Sequence, residues 1–98
     1  MLVSLIEVVN LSRFSNTKRN YSLSEIFVNP KQVVCMREEL NIKEKMILEG
    51  AYPKGLDKRQ SFTKLSLQRG GSGIDIVVVG APAAVMEKIH GKKGMLSG

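Results

Sequence analysis

No glycine precedes Gly50 in this 98-residue chain, so turns in its first half have to be built from asparagine, proline or serine. Cys35 is the only cysteine and His90 the only histidine. An intramolecular disulfide is therefore excluded, and so is a zinc site of the usual Cys/His composition within one chain. Cys35 lies in the apolar run Val33-Val34-Cys35-Met36 and is expected to be a reduced, buried core residue, in keeping with a cytoplasmic setting. A Cys35–His90 nucleophile pair would require that thiol to be exposed and is set aside. Aromatic side chains are few: Phe14, Tyr21, Phe27, Tyr52 and Phe62. Only Tyr21 and Tyr52 fall in loop-like settings.

Other absences narrow the function further. No apolar run approaches the ~20 residues of a membrane span. The leading MLVSLIEVV is apolar but has no basic leader and no small-residue cleavage site, so it is not expected to be a signal peptide. There are no repeats and no low-complexity segment. The acids are Glu7, Glu25, Glu38, Glu39, Glu44, Glu49, Asp57, Asp75 and Glu87, and no pair among them has the look of a general acid and base. QRGGSGI lacks the GxxxxGK[ST] pattern and leads into a strand, so it is not a phosphate-binding P-loop. The expectation is a protein that is not an enzyme, with no cofactor and no metal.

The most informative stretch present is FTKLSLQRGGSGIDIVVV, residues 62 to 79. Thr63, Leu65 and Leu67 alternate with Lys64, Ser66 and Gln68, the period of a half-buried strand. Ile74, Ile76 and Val78 define a second strand whose other side, Asp75, Val77 and Val79, offers little polar relief. Such a strand needs cover on both sides, from its own core and often from another subunit. Between the two, Gly70, Gly71 and Gly73 allow a tight turn or close approach to a ligand. A cation, Arg69, and exposed amides at a strand end suit an anionic ligand, although an ordinary hairpin turn accounts for the same residues.

Elsewhere the pattern is plainer. Leu2 to Val9 fits a buried strand or a helix. Residues 10 to 20 read as a basic loop. Ser24 to Val28 is a strand with Ile26 and Val28 on one face and Phe27 on the other; Asn29-Pro30 breaks it. Val33 to Met36 resumes, so residues 24 to 37 form either two strands over a tight Asn-Pro-Lys-Gln turn or one sharply bent strand. A short helix is expected between Glu38 and Glu49, with Glu39 and Lys43 paired, Met36, Leu40 and Ile47 on one stripe, and Gly50 as its stop. Ala51 to Ser61 is an exposed loop. Gly80-Ala81-Pro82 opens a last helix with Val85, Met86 and Ile89 on its apolar side, Lys88 and His90 at its negative end, and Gly91 beyond. The expected layout is one domain over residues 1–90 with a flexible tail at 91–98.

Fifteen Lys and Arg against nine Asp and Glu give a net charge of +6 and a pI near 9.7. Arg13, Lys18 and Arg19 have no acid among them in residues 10 to 20; Lys54, Lys58, Arg59, Lys64 and Arg69 surround Asp57 alone. Clustered cations favour a polyanionic partner, nucleic acid first. A solvated basic surface that serves only solubility is the alternative.

Taken together the strands resemble the Sm-like small barrel of Sm, LSm and Hfq proteins. KLSLQRGGSGIDIVVV is similar to the second Sm motif, with Arg69 and Gly70 in the Arg-Gly places. FVNPKQVVCMREE is similar in layout to the first motif, with Gln32 in the Asn place, Lys31 before it and Glu38-Glu39 at its end. The two segments cover about a third of the chain, and the detail resembles small Sm-like proteins of marine phages such as cyanophages. The departures are the missing glycine in the bent strand, Val28 where the family often has Asp, Gln32 for Asn, and a helix after the last strand instead of before the first.

The resemblance implies a mainly β fold: a small, strongly bent Sm-like β-barrel with a short helix in the 38–50 insertion and a C-terminal helix. It implies a cytoplasmic protein (of the host, if phage-encoded), no membrane partner, and homo-oligomeric rings of about five to seven subunits closed by pairing the last strand of one subunit with the fourth strand of the next. Pairing of this kind would also hide Ile74–Val79, an aggregation hazard as an open edge. It implies single-stranded RNA as partner, with Gln32 bonding a base edge, Lys31 against base or phosphate, Arg69 and the Gly70 amide on the other side, and Asn29 in the same turn. Two other readings compete: an oligomeric protein-interaction module without nucleic-acid binding, and a small transcriptional or flagellar-type regulator, which would be a monomer or dimer.

Overall fold

The computed structural model describes residues 1–10 and 21–91. Five strands, β1 (Val3–Asn10), β2 (Tyr21–Val28), β3 (Val33–Glu38), β4 (Phe62–Arg69) and β5 (Ser72–Val79), form one antiparallel sheet in the order β2-β1-β5-β4-β3. Two helices complete the fold, α1 (Asn41–Leu48) and α2 (Pro82–His90), with a single 3-10 turn at Pro30–Gln32. The mainly β class, the helix inside 38–50 and the C-terminal helix thus stand. The expected basic loop lies, apart from Asn10, outside the described residues, as does most of the 91–98 tail.

The apolar strand at 74–79 is not an edge. β5 pairs with β4 from Phe62↔Val79 to Arg69↔Ser72, and Glu7↔Val78 ties it to β1 on the other side. The open-edge argument drawn from its composition is corrected at Val78, where the second neighbour is β1, the segment whose pattern suits helix and strand equally; that ladder is a single pair. The edges are β2 and β3.

Those two edges are consecutive in sequence, which fixes the shape of the sheet. Val28 lies opposite Val3, Glu7 opposite Val78, Ile74 opposite Leu67, and Leu67 opposite Val33. Laid flat, that register would separate Val28 from Val33 by about eight residues along the strands, roughly 27 Å, and by four strand spacings of about 4.8 Å across them. Five peptide steps span at most about 18 Å. The sheet must therefore twist and curl until its edges approach each other, and a twist of about 20–25° per strand turns β2 nearly crosswise to β3. Val28 and Val33 accordingly pack in the same core. The expected barrel is nonetheless not closed: the strands form a single curled sheet, because no ladder joins β2 to β3. Asn29-Pro30-Lys31-Gln32 makes a corner between them, not a hairpin.

The concave face holds Leu5, Val28, Leu65, Ile76 and Val78, covered by Val85 and Ile89 of α2. Thr63 is fully buried, and its hydroxyl donates to the Gly80 carbonyl at 2.8 Å. Gly80 has φ +122, and a Cβ there would stand 3.3 Å from Val85, so glycine is required where β5 turns into α2. The outer face is covered only in part, by a second cluster of Val8, Phe62 and Met46 with Tyr52 and Leu56 from the following loop.

Three side-chain expectations are overturned. Cys35 is exposed: β3 slips register between Val33 and Cys35, leaving Val34 63% exposed and turning Cys35 to the outer face beside Ser66. α1 buries Met46 with Ile42 against it, while Leu40 and Ile47 face solvent, because the helix starts at Asn41 and Leu40 falls outside its first turn. Met86 is exposed, since Val85 and Ile89 alone fill the contact with the sheet. Urea unfolding should show Leu65→Ala destabilised by about 2–5 kcal/mol, the cost of an unfilled core site, and Met86→Ala changed by no more than about 0.5 kcal/mol.

Candidate nucleic-acid interface

The residues singled out from the two motifs come from two turns, and the β3–β4 register brings those turns side by side. Val33 lies opposite Leu67, so the Pro30–Gln32 turn continues past the end of β3 alongside the last residues of β4, with which it is in contact. The β4–β5 hairpin turns there through Gly70-Gly71. Gly70 has φ +61, the left-handed value required at the first central residue of a two-residue hairpin loop. Gln68 Nε2 donates to the Gly70 carbonyl at 3.1 Å and steadies the loop.

Each turn has its own internal cause. Asn29 Oδ1 accepts from the Lys31 amide at 3.0 Å, and the Gln32 amide donates to the Asn29 carbonyl at 2.9 Å. Pro30 occupies the first helical position, where its missing N–H costs nothing. The cap leaves Lys31 and Gln32 exposed and adjacent. Asn29 spends its side-chain carbonyl on holding the turn, which makes it a positioning residue. Gly70 is exposed; Arg69 ends β4 opposite Ser72, and its side chain lies outside the described part.

Of the second basic stretch only Arg69 joins this end. Lys54, Lys58 and Arg59 belong to the loop before β4, which is organised by Asp57: its carboxylate accepts from the Arg59 amide at 2.8 Å and its carbonyl from the Gln60 amide at 2.9 Å. Tyr52, expected as a loop aromatic, packs edge-on against Phe62 with ring centroids 6.4 Å apart and donates to the Asp57 carbonyl at 2.6 Å. Burial, and then the Asp57 carboxylate, raise its hydroxyl above the ordinary value. The Phe62 and Asp57 contacts hold the ring within the outer-face cluster. A shallow depression of about 440 Å³ opens beside this loop, lined by Asp57, Arg59, Gln60, Ser61 and Ala81. Phe27, which alternation placed opposite the core, is the exposed aromatic near the first turn, at 58%.

Among the described residues no group of three or more His, Cys, Asp and Glu is arranged to hold a metal ion, and no helix is long and apolar enough to cross a membrane. Comparisons with protein-family models, with curated proteins and with solved structures find no match to this chain.

Two outcomes follow from the turn chemistry. Asn29→Ala should lower stability by about 1 kcal/mol in urea unfolding, the usual value of such a cap. The Asp57 carboxyl is held below its ordinary value first by the Arg59 backbone amide and then by its side chain. Its contribution is therefore complete above the unfolded value and is lost as pH falls through the folded one. Hydrogen exchange should show protection of the Arg59 amide declining below about pH 4, and no such decline in Asp57→Asn.

Proposed function

We propose that this chain is a non-enzymatic, oligomeric Sm-like protein that binds single-stranded RNA at the end of the sheet where its two turns meet. The observation that supports the reading is the β3–β4 register, which brings the Pro30–Gln32 turn against β4, the strand that Arg69 ends, although the two are far apart in sequence. An exposed amide next to an ammonium and the amides of a glycine turn can bond base edges and phosphate at once. The net charge of +6 favours a polyanion, and repetition of the site in an oligomer multiplies a weak contact through effective concentration.

Assembly in this reading does not use β5, which already has a neighbour on each side. The edges differ in how they are protected. β3 carries a register slip and Arg37, devices that discourage pairing with a foreign strand. β2 runs eight residues in unbroken register with β1, has no proline or cation, and exposes Leu23 and Phe27 on one face. β2 is therefore the assembly edge. These same exposed residues favour the second reading, an oligomeric protein-interaction module that binds no nucleic acid.

Binding of short uridine-rich RNA across a salt series decides between them. Wild type should bind with an affinity that falls as salt rises, and Gln32→Ala and Arg69→Ala should weaken it severalfold. Wild type that gives no salt-sensitive binding, or variants that bind unchanged, would sink the RNA reading. Native mass spectrometry should find an oligomer, dissociated to monomer by Phe27→Lys; a wild-type monomer rules out the assembly.

A further inference from the structure

Beyond the two turns, the outer face of β3 and β4 carries a charge arrangement that the fold compensates at one member only. Arg37 and Lys64 lie directly opposite each other across the ladder, and cross-strand like charges are unfavourable where nothing of opposite sign answers them. Lys64 has one partner, Glu39, whose Oε1 stands 3.7 Å from its ammonium. The other oxygen of that carboxylate is committed to α1, accepting from the Ile42 amide at 3.1 Å. Among the described residues Arg37 has no carboxylate within ion-pair distance. Arg37 is exposed, and the Lys64 side chain is 40% exposed.

The surface between this cation pair and the two-turn end is open and polar. Cys35 and Ser66 form the next pair on the same face, and Gln68 follows at the hairpin. Four residues separate Lys64 from Gln68 along β4, about 13 Å of strand, a reach of a few nucleotides. Two acids border this strip: Glu39 at the Lys64 end, already paired with that lysine, and Asp75 on β5, which accepts from the Ser66 hydroxyl at 2.9 Å. Asp75 limits a polyanion to the β3–β4 side.

We infer that the phosphate backbone of a bound single strand leaves the two-turn end and runs up the outer face of β3 and β4, where Arg37 and Lys64 receive it as a paired phosphate site. The inference rests on the RNA reading above and gives that reading a direction. Bases are held at the turns; the cation pair takes backbone charge without regard to sequence.

The test uses the full chain, a uridine dinucleotide and an oligouridine of about ten nucleotides, the size range of one small-barrel site. The double variant Arg37→Gln, Lys64→Gln should lower the slope of log affinity against log salt by about 1.4 on the longer strand, two phosphate contacts at about 0.7 each. Its binding of the dinucleotide should be unchanged. Lys64→Arg should keep the slope, and Asp75→Asn should tighten the longer strand. Thermal unfolding of each variant checks that the fold persists. An unchanged slope on the longer strand, with Gln32→Ala still weakening it, overturns the path and leaves the turns as the site. Equal loss on both ligands also overturns it, since the pair would then act only through overall charge. Wild type that binds neither ligand removes the path and the RNA reading together.

Discussion

Five peptide steps separate Val28 from Val33, and the ladder places those residues at opposite ends of opposite edges. A sheet under that constraint can satisfy its hydrogen bonds only by coiling. Coiling gives it an inside and an outside, and the two are built differently. The inside is continuous and apolar, closed by Val85 and Ile89 of α2. The outside is covered near Phe62 by Met46 and the 50s loop and is bare toward the hairpin tip. The partial cover leaves that polar strip open at Cys35 and Gln68. The same corner that forces the coil, Asn29 to Gln32, also delivers Lys31 and Gln32 to the surface.

Much of this was readable in the residues because local pattern and tertiary position agree. Alternation along 62–79 identifies both strands and their inward sets. Asn-Pro marks the corner, and Pro82 with Gly91 brackets the last helix. The failures come from facts that no local window contains. Whether Leu2–Val9 forms a strand is decided by its eight-pair ladder with β2 and by its one pair with β5, roughly seventy residues away in sequence. Cys35 sits in an apolar run, but a one-residue slip against β4 reverses its side. In α1 the stripe through Leu40 and Ile47 fits helical spacing as well as Ile42 and Met46 do. What chooses between them is where the Glu39 carboxylate starts the helix.

The site residues divide along the same line. Each turn was visible by its chemistry, glycines in one and Asn-Pro in the other. Their adjacency was not, because it follows from the β3–β4 register across an insertion of more than twenty residues. The Sm-like resemblance carries an expectation that Ile74–Val79 is hidden by pairing with a neighbouring copy. Here β5 is interior, and the unguarded edge is β2. Arg37 and Lys64 belong to different stretches of sequence and look unremarkable in each. Only the ladder makes them a pair.

The placement of β5 has a consequence for how the chain reaches its native state. β1 and β2 can zip together early, since they are neighbours in sequence, but their apolar side has nothing to lie on. The partners that cover it, Leu65, Ile76 and Val78 of the later strands and Val85 and Ile89 of α2, all lie in the second half of the chain. Contacts of such long range are slow to form, because the loop they close must lose its freedom first. During synthesis the first hairpin is therefore emerged and greasy while the ribosome is still making the strand that will cover it, a window in which a chaperone or a sister chain has the opportunity to intervene.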